Sequence, residues 1–75
     1  MADYAVILVH TTSHAVFAER VLKRVNIAAK LIPTPRHLSS DCGSAVRIGV
    51  NEQNLARQQL DEAHVEYDRI EPLDE

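Results

Sequence analysis

Between Tyr4 and Val9 the chain reads YAVILV, a run of six residues whose two alternating sets of side chains are both apolar. The run is too short for a helix, and a strand that is apolar on both faces belongs inside a sheet covered on both sides. The remaining residues must therefore supply partner strands and a cover. A chain of 75 residues has room for one core and no second, and a domain near this size buries only about 60% of the surface its unfolded chain exposes. One cysteine rules out an internal disulfide, so packing alone has to hold the fold.

From Ser13 the apolar period changes from two to that of a helix. Ala15, Ala18, Val21, Leu22 and Val25 share one stripe, while Glu19, Arg20, Lys23 and Arg24 occupy the other side. Thr12 or Ser13 is the expected cap, and Glu19 and Lys23 stand at the favourable i,i+4 spacing. Ala28–Ile32 is a second strand candidate, halted by Pro33 and Pro35. A loop follows to Ser44, and Ala45–Val50 then alternates, with Val46, Ile48 and Val50 on one face. Asn51 is the expected cap of a second helix running to about Ala63, with Leu55, Ala56, Leu60 and Ala63 as its apolar stripe and Arg57 in reach of Asp61. Val65–Ile70 closes the series as a last strand, and 71–75, EPLDE, reads as an acidic tail that frays. No repeat and no linker interrupts a single domain over 1–75.

The order β-α-β-β-α-β predicts an α+β fold of the ferredoxin-like kind, a four-stranded antiparallel sheet with two helices on one face. That topology brings three segments to one end of the sheet: the start of the first helix, the loop after the second strand, and the turn before the last strand. His10, His14, His37 and His64 all belong to those segments.

Composition removes several classes of function. Net charge is −3, and the eight Lys and Arg residues are interspersed with eleven acids rather than gathered into a stripe, which disfavours nucleic acid as a partner. No apolar run approaches the roughly 20 residues that span a bilayer, and the opening MADYAVILVH lacks a basic leader; no membrane association is expected, and a cytoplasmic location is. There is no GxGxxG or GxxxxGKS and hence no nucleotide-type cofactor, no HExxH or CxxC and hence no expected metal, and no resolving cysteine for a dithiol oxidoreductase.

What remains is the lone thiol, Cys42, inside IPTPRHLSSDCG. A loop of prolines, serines and glycine is what any connection is made of, yet several groups there suit a sulfur anion. A helix amino terminus and Arg36 favour the thiolate, and Asp41 opposes it unless it is paired or turned away. Gly43 lets the backbone adopt a positive φ and leaves its amide uncovered, and Ser39, Ser40 and Ser44 offer hydroxyl donors. His14, by position, is the histidine expected to hydrogen-bond or tune the thiol. One thiol suffices to carry a group as a persulfide or mixed disulfide that a partner's thiolate then removes. The same thiol would also serve redox sensing through sulfenic acid. A different reading is a non-enzymatic interaction module that dimerises through the uncovered sheet face, where Tyr4, Val6 and Leu8 or their alternates would be apolar.

The stretch AERVLKRVNIAAKLIPTPRHLSSDCGSAVRI resembles a small family described as selenium or sulfur carrier proteins, whose signature is an AEK-L-K helix, then KLIPTPR, SSxCG and an LR strand. Ala18, Glu19 and Arg20 stand for the first motif. Pro33, Thr34, Pro35, Arg36, Ser39, Ser40, Cys42 and Gly43 match the central one, and Val46 with Arg47 stands for the last. The resemblance covers nearly the whole chain but reaches HTTSHA only loosely, so it assigns nothing to His10 or His14. It implies that Cys42 carries the sulfur or selenium, that Arg36, Gly43 and the serine hydroxyls hold the anion, and that donor and acceptor proteins are the partners. Pro33 and Pro35 would preset the loop.

Overall fold

The computed structural model describes residues 3–38 and 43–73. Four antiparallel strands form one sheet: β1 (Tyr4–Leu8), β2 (Lys30–Pro33), β3 (Ser44–Gly49) and β4 (Arg69–Leu73), in the order β2-β3-β1-β4. Two helices, α1 (Thr12–Arg24) and α2 (Gln53–Glu62), complete an α+β fold. As its two apolar faces require, β1 is central, paired with β3 on one side and β4 on the other, and Ala5 to Val9 have no exposed surface.

Alternation along β1 divides the apolar interior in two. Ala5, Ile7 and Val9, with Val46 and Ile48, pack under Ala15, Ala18, Val21 and Leu22 of α1 and Ala56 and Leu60 of α2. Val6, Leu8 and Ala45 form a separate cluster on the other face, with Leu38 and, at its margin, Ile32. The helical stripe read from the sequence of α1 is the buried one, and Lys23 Nζ lies 3.6 Å from Glu19 Oε2. The cap is one residue earlier than expected. Thr11 caps the helix, its side chain accepting from the His14 N–H at 3.1 Å, because the extended backbone after β1 leaves Thr11 as the last residue outside the helix.

Both helices end in the same way, and this explains two displaced strands. Asn26 and His64 sit at positive φ, 65° and 57°. Immediately after each, an apolar residue donates back into the helix: Ile27 N–H to the Leu22 carbonyl at 3.0 Å, and Val65 N–H to the Leu60 carbonyl at 2.9 Å. These are Schellman stops, with the following apolar residue tucked against the helix. Ile27 and Val65 are both buried. Val65 is thereby taken out of the strand expected to start with it, and after Ile27 the chain turns once more, the Ala29 N–H bonding to the Ile27 carbonyl, so β2 begins at Lys30 rather than Ala28 and β4 at Arg69 rather than Val65. The later β4 also corrects the reading of 71–73 as part of a fraying tail: Glu71, Pro72 and Leu73 pair with Val6, Ala5 and Tyr4, and the last two residues of that expected tail lie outside the described residues.

Three smaller expectations are corrected near α2. Val50–Glu52 is a 3-10 turn, so Asn51 lies within it and caps nothing, while Glu52 Oε1 accepts from the Gly49 N–H at 3.3 Å. Leu55 is 42% exposed and lies outside the buried stripe. Arg57 and Asp61 form no ion pair among the described residues. No helix among those residues is long and apolar enough to cross a membrane.

Candidate functional site

The connection from β2 to β3 leaves the sheet at the end where β1 finishes and α1 starts, since Leu8 pairs with Ala45 and Pro33 with Ser44. Its base continues the ladder by one bond, from the Thr34 N–H to the Gly43 carbonyl at 3.0 Å. Pro35 then opens a tight turn closed by the Leu38 N–H on the Pro35 carbonyl at 3.0 Å, with Arg36 and His37 exposed at its tip.

Leu38 decides where the loop goes. It is the one large aliphatic side chain between Thr34 and Gly43, and at 8% exposure it packs with Val6, Leu8 and Ala45 on the face away from the helices. The interaction-module reading took that face to be uncovered. Val6 and Leu8 instead have no exposed surface. Farther along the face, Arg47 lies over the Tyr4 ring, 4.4 Å from its centroid, at a distance suited to a cation–π contact.

Of the residues singled out in the sequence, Cys42, Ser39, Ser40 and Asp41 lie outside the described residues. Their flanks are fixed: Leu38 by its packing on one side, Gly43 by its bond to Thr34 on the other. Gly43 is not among the positive-φ residues, and a Cβ placed there would meet none of the described atoms within 4 Å. Its carbonyl serves the ladder, so the turn chemistry that calls for glycine is not at this position. Arg36 makes no ion pair among the described residues.

His14 is half-buried in the first turn of α1, with Nδ1 enclosed and without a hydrogen-bond partner among the described residues. The helix that bears it, α1, packs on one face of the sheet, whereas Leu38 packs on the opposite one. Each of the other histidines has its own surroundings. His10 borders an open depression of about 440 Å³ with Asp61, Glu66, Tyr67 and Asp68, His37 is at the turn tip, and His64 occupies the left-handed position that ends α2. No group of three His, Cys, Asp or Glu side chains among the described residues is placed to hold a metal.

Sequence reasoning missed two contacts that shape this site. One is the Leu38 anchor, for which the signal was present: a solitary leucine in a polar loop has to be buried somewhere. The other is a bond from Glu19 Oε2 to the Leu31 N–H at 3.1 Å, which joins α1 to β2 and leaves no periodic trace.

Comparison with known proteins adds a family. A profile described as "Putative Se/S carrier protein-like" matches residues 3–72. No curated protein and no solved structure matches.

Proposed function

The chain belongs to the "Putative Se/S carrier protein-like" family, and on that premise we propose that it is a thiol carrier holding sulfur or selenium on Cys42. The observation that carries this reading is the family match across residues 3–72, a span that contains the only cysteine of the chain. The architecture supports it. We read the element order and the sheet order β2-β3-β1-β4 as a ferredoxin-like split βαβ arrangement. Such a scaffold supplies rigid flanks to a loop at one end of the sheet, where function concentrates.

The chemistry asked of Cys42 is an exchange at sulfur. Its thiolate attacks the outer sulfur of a donor persulfide, the donor's S–S bond breaks, and the donor leaves as a thiol while the Cys42 persulfide forms. No electron is gained or lost overall, and the terminal sulfur has changed bearers. An acceptor thiolate then attacks the outer sulfur of the Cys42 persulfide, the Cys42 S–S bond breaks, and Cys42 leaves as the free thiolate while the acceptor persulfide forms. Selenium in place of that terminal sulfur follows the same course. In this reading Arg36 and the hydroxyls of Ser39 and Ser40 hold the developing anion, while Gly43 contributes backbone. His14, to which the family resemblance assigns nothing, has the weakest support of the set. Donor and acceptor proteins are the partners, and no bound cofactor or metal takes part.

The test is loading. The protein and its Cys42→Ser variant are incubated with glutathione persulfide and read by intact mass. A mass gain of one sulfur atom in the wild type, absent in the variant, supports the carrier reading. An equal gain in both, or none in either, removes it.

A further inference from the structure

The β2 edge of the sheet is closed from the outside by a side chain. Hydrogen bonding along β2 alternates, with even-numbered residues turned to β3: Thr34, next in line, donates its N–H to Gly43, while the N–H of Leu31 points away and meets Glu19 Oε2 at 3.1 Å. The outward positions of β2 are therefore Leu31 and Pro33. Pro33 has no N–H, so the Glu19 carboxylate takes the one outward donor the strand possesses. Just before the strand, the Ala29 N–H is already bonded to the Ile27 carbonyl at 2.8 Å.

Glu19 is well placed to act as a strut. Its side chain is 19% exposed, and Lys23 one turn on lies 3.6 Å away. Its neighbours in the helix, Ala18 and Leu22, are fully buried against the sheet, so the carboxylate hangs from a fixed support. β2 is only four residues long, is paired on one side alone, and runs directly into Thr34 and the loop. Without a contact on its free edge, one ladder of four pairs would hold the strand, leaving Leu38 as the flank's other anchor.

We infer that Glu19 is a positioning residue for the Cys42 loop, fixing β2 through the Leu31 N–H so that the Thr34–Leu38 flank keeps one geometry. The inference rests on the carrier reading only for what the loop is used for, and its test does not depend on that reading. Three variants separate reach from charge: Glu19→Gln keeps an oxygen acceptor at the same reach, Glu19→Asp keeps the charge but falls short, and Glu19→Ala keeps neither. The readouts are amide exchange at Leu31 and the rate of Cys42 alkylation by iodoacetamide, compared with the urea-unfolded chain. In the Ala and Asp variants Leu31 exchange is expected to rise about tenfold or more, and the Cys42 rate to move about threefold or more toward the unfolded value; in the Gln variant both stay near wild type. Unchanged Leu31 exchange in the Ala and Asp variants would overturn the inference. So would a Cys42 rate that is the same in all four proteins, or already equal to the unfolded rate in the wild type. An Asp variant that behaves as wild type while Gln fails would assign the effect to charge and overturn it as well. Failure of the chain to accept sulfur from a persulfide would end the carrier reading while leaving these readouts as they are.

Discussion

Replacing Leu38 by alanine should loosen the loop from the sheet and expose the face it covers. Leu38 is the only described loop side chain in the cluster of Val6, Leu8 and Ala45, and it is 8% exposed. Leucine-to-alanine changes at buried sites cost about 2–5 kcal/mol, more where the surroundings cannot settle into the space. A loop can settle, which places this one near the low end, about 2–3 kcal/mol. Against the roughly 4–11 kcal/mol expected of a 75-residue domain, that is a large share, equivalent to a fall in Tm of about 10–20 °C. Urea unfolding followed by circular dichroism measures it, with Leu38→Met as the volume-preserving control expected to lose less than about 1.5 kcal/mol. A loss below about 0.5 kcal/mol for Leu38→Ala, within the range of an ordinary surface change, would refute the claim that this residue seals the sheet.

Three further outcomes follow from the local geometry. Asn26→Gly and His64→Gly each relieve a non-glycine residue at positive φ; the relief exceeds the entropy that glycine adds to the unfolded chain, so each should stabilise by about 0.5–1 kcal/mol in urea titrations, and a loss in either would contradict the Schellman assignment. Thr11→Ala removes the acceptor of the His14 N–H and should cost about 1 kcal/mol, whereas Thr12→Ala and Ser13→Ala, inside the helix, should cost less by the same titration. Gly43→Ala should leave thermal stability unchanged or raise it by up to about 1 kcal/mol, because no positive φ and no described neighbour within 4 Å opposes a Cβ there; a fall of similar size would show that the position needs glycine after all.

The parts of the fold that could be read from the sequence are those with a period. YAVILV announced a central strand, and the stripe of α1 from Ala15 to Leu22 is the buried one. The start of the last strand was lost where a helix stop competes with a strand for the same apolar residue, at Val65, since hydrophobicity does not say which neighbour will bury it. The 3-10 turn that takes up Val50 and Asn51 is likewise a short irregular piece without periodicity. Around the candidate site, the loop's location at the end of the sheet followed from element order, but its direction did not. That direction depends on one leucine choosing the face of Val6 and Leu8 over the helix-covered face. It also carries the loop's first flank to the face opposite α1, the helix that bears His14. The Glu19–Leu31 bond spans twelve residues and depends on tertiary placement alone.

The central claim is that Cys42 passes on what it receives, and the measurement that tests it most directly is delivery. The chain is loaded with isotopically labelled sulfur from glutathione persulfide, freed of donor, and mixed at neutral pH with an acceptor thiol in excess. The account predicts that label moves to the acceptor while Cys42 returns to a free thiol by intact mass, with no label bound or released in Cys42→Ser. Label that stays on the chain, or a Cys42 recovered as a disulfide with the acceptor while the label is lost as sulfide, would contradict it.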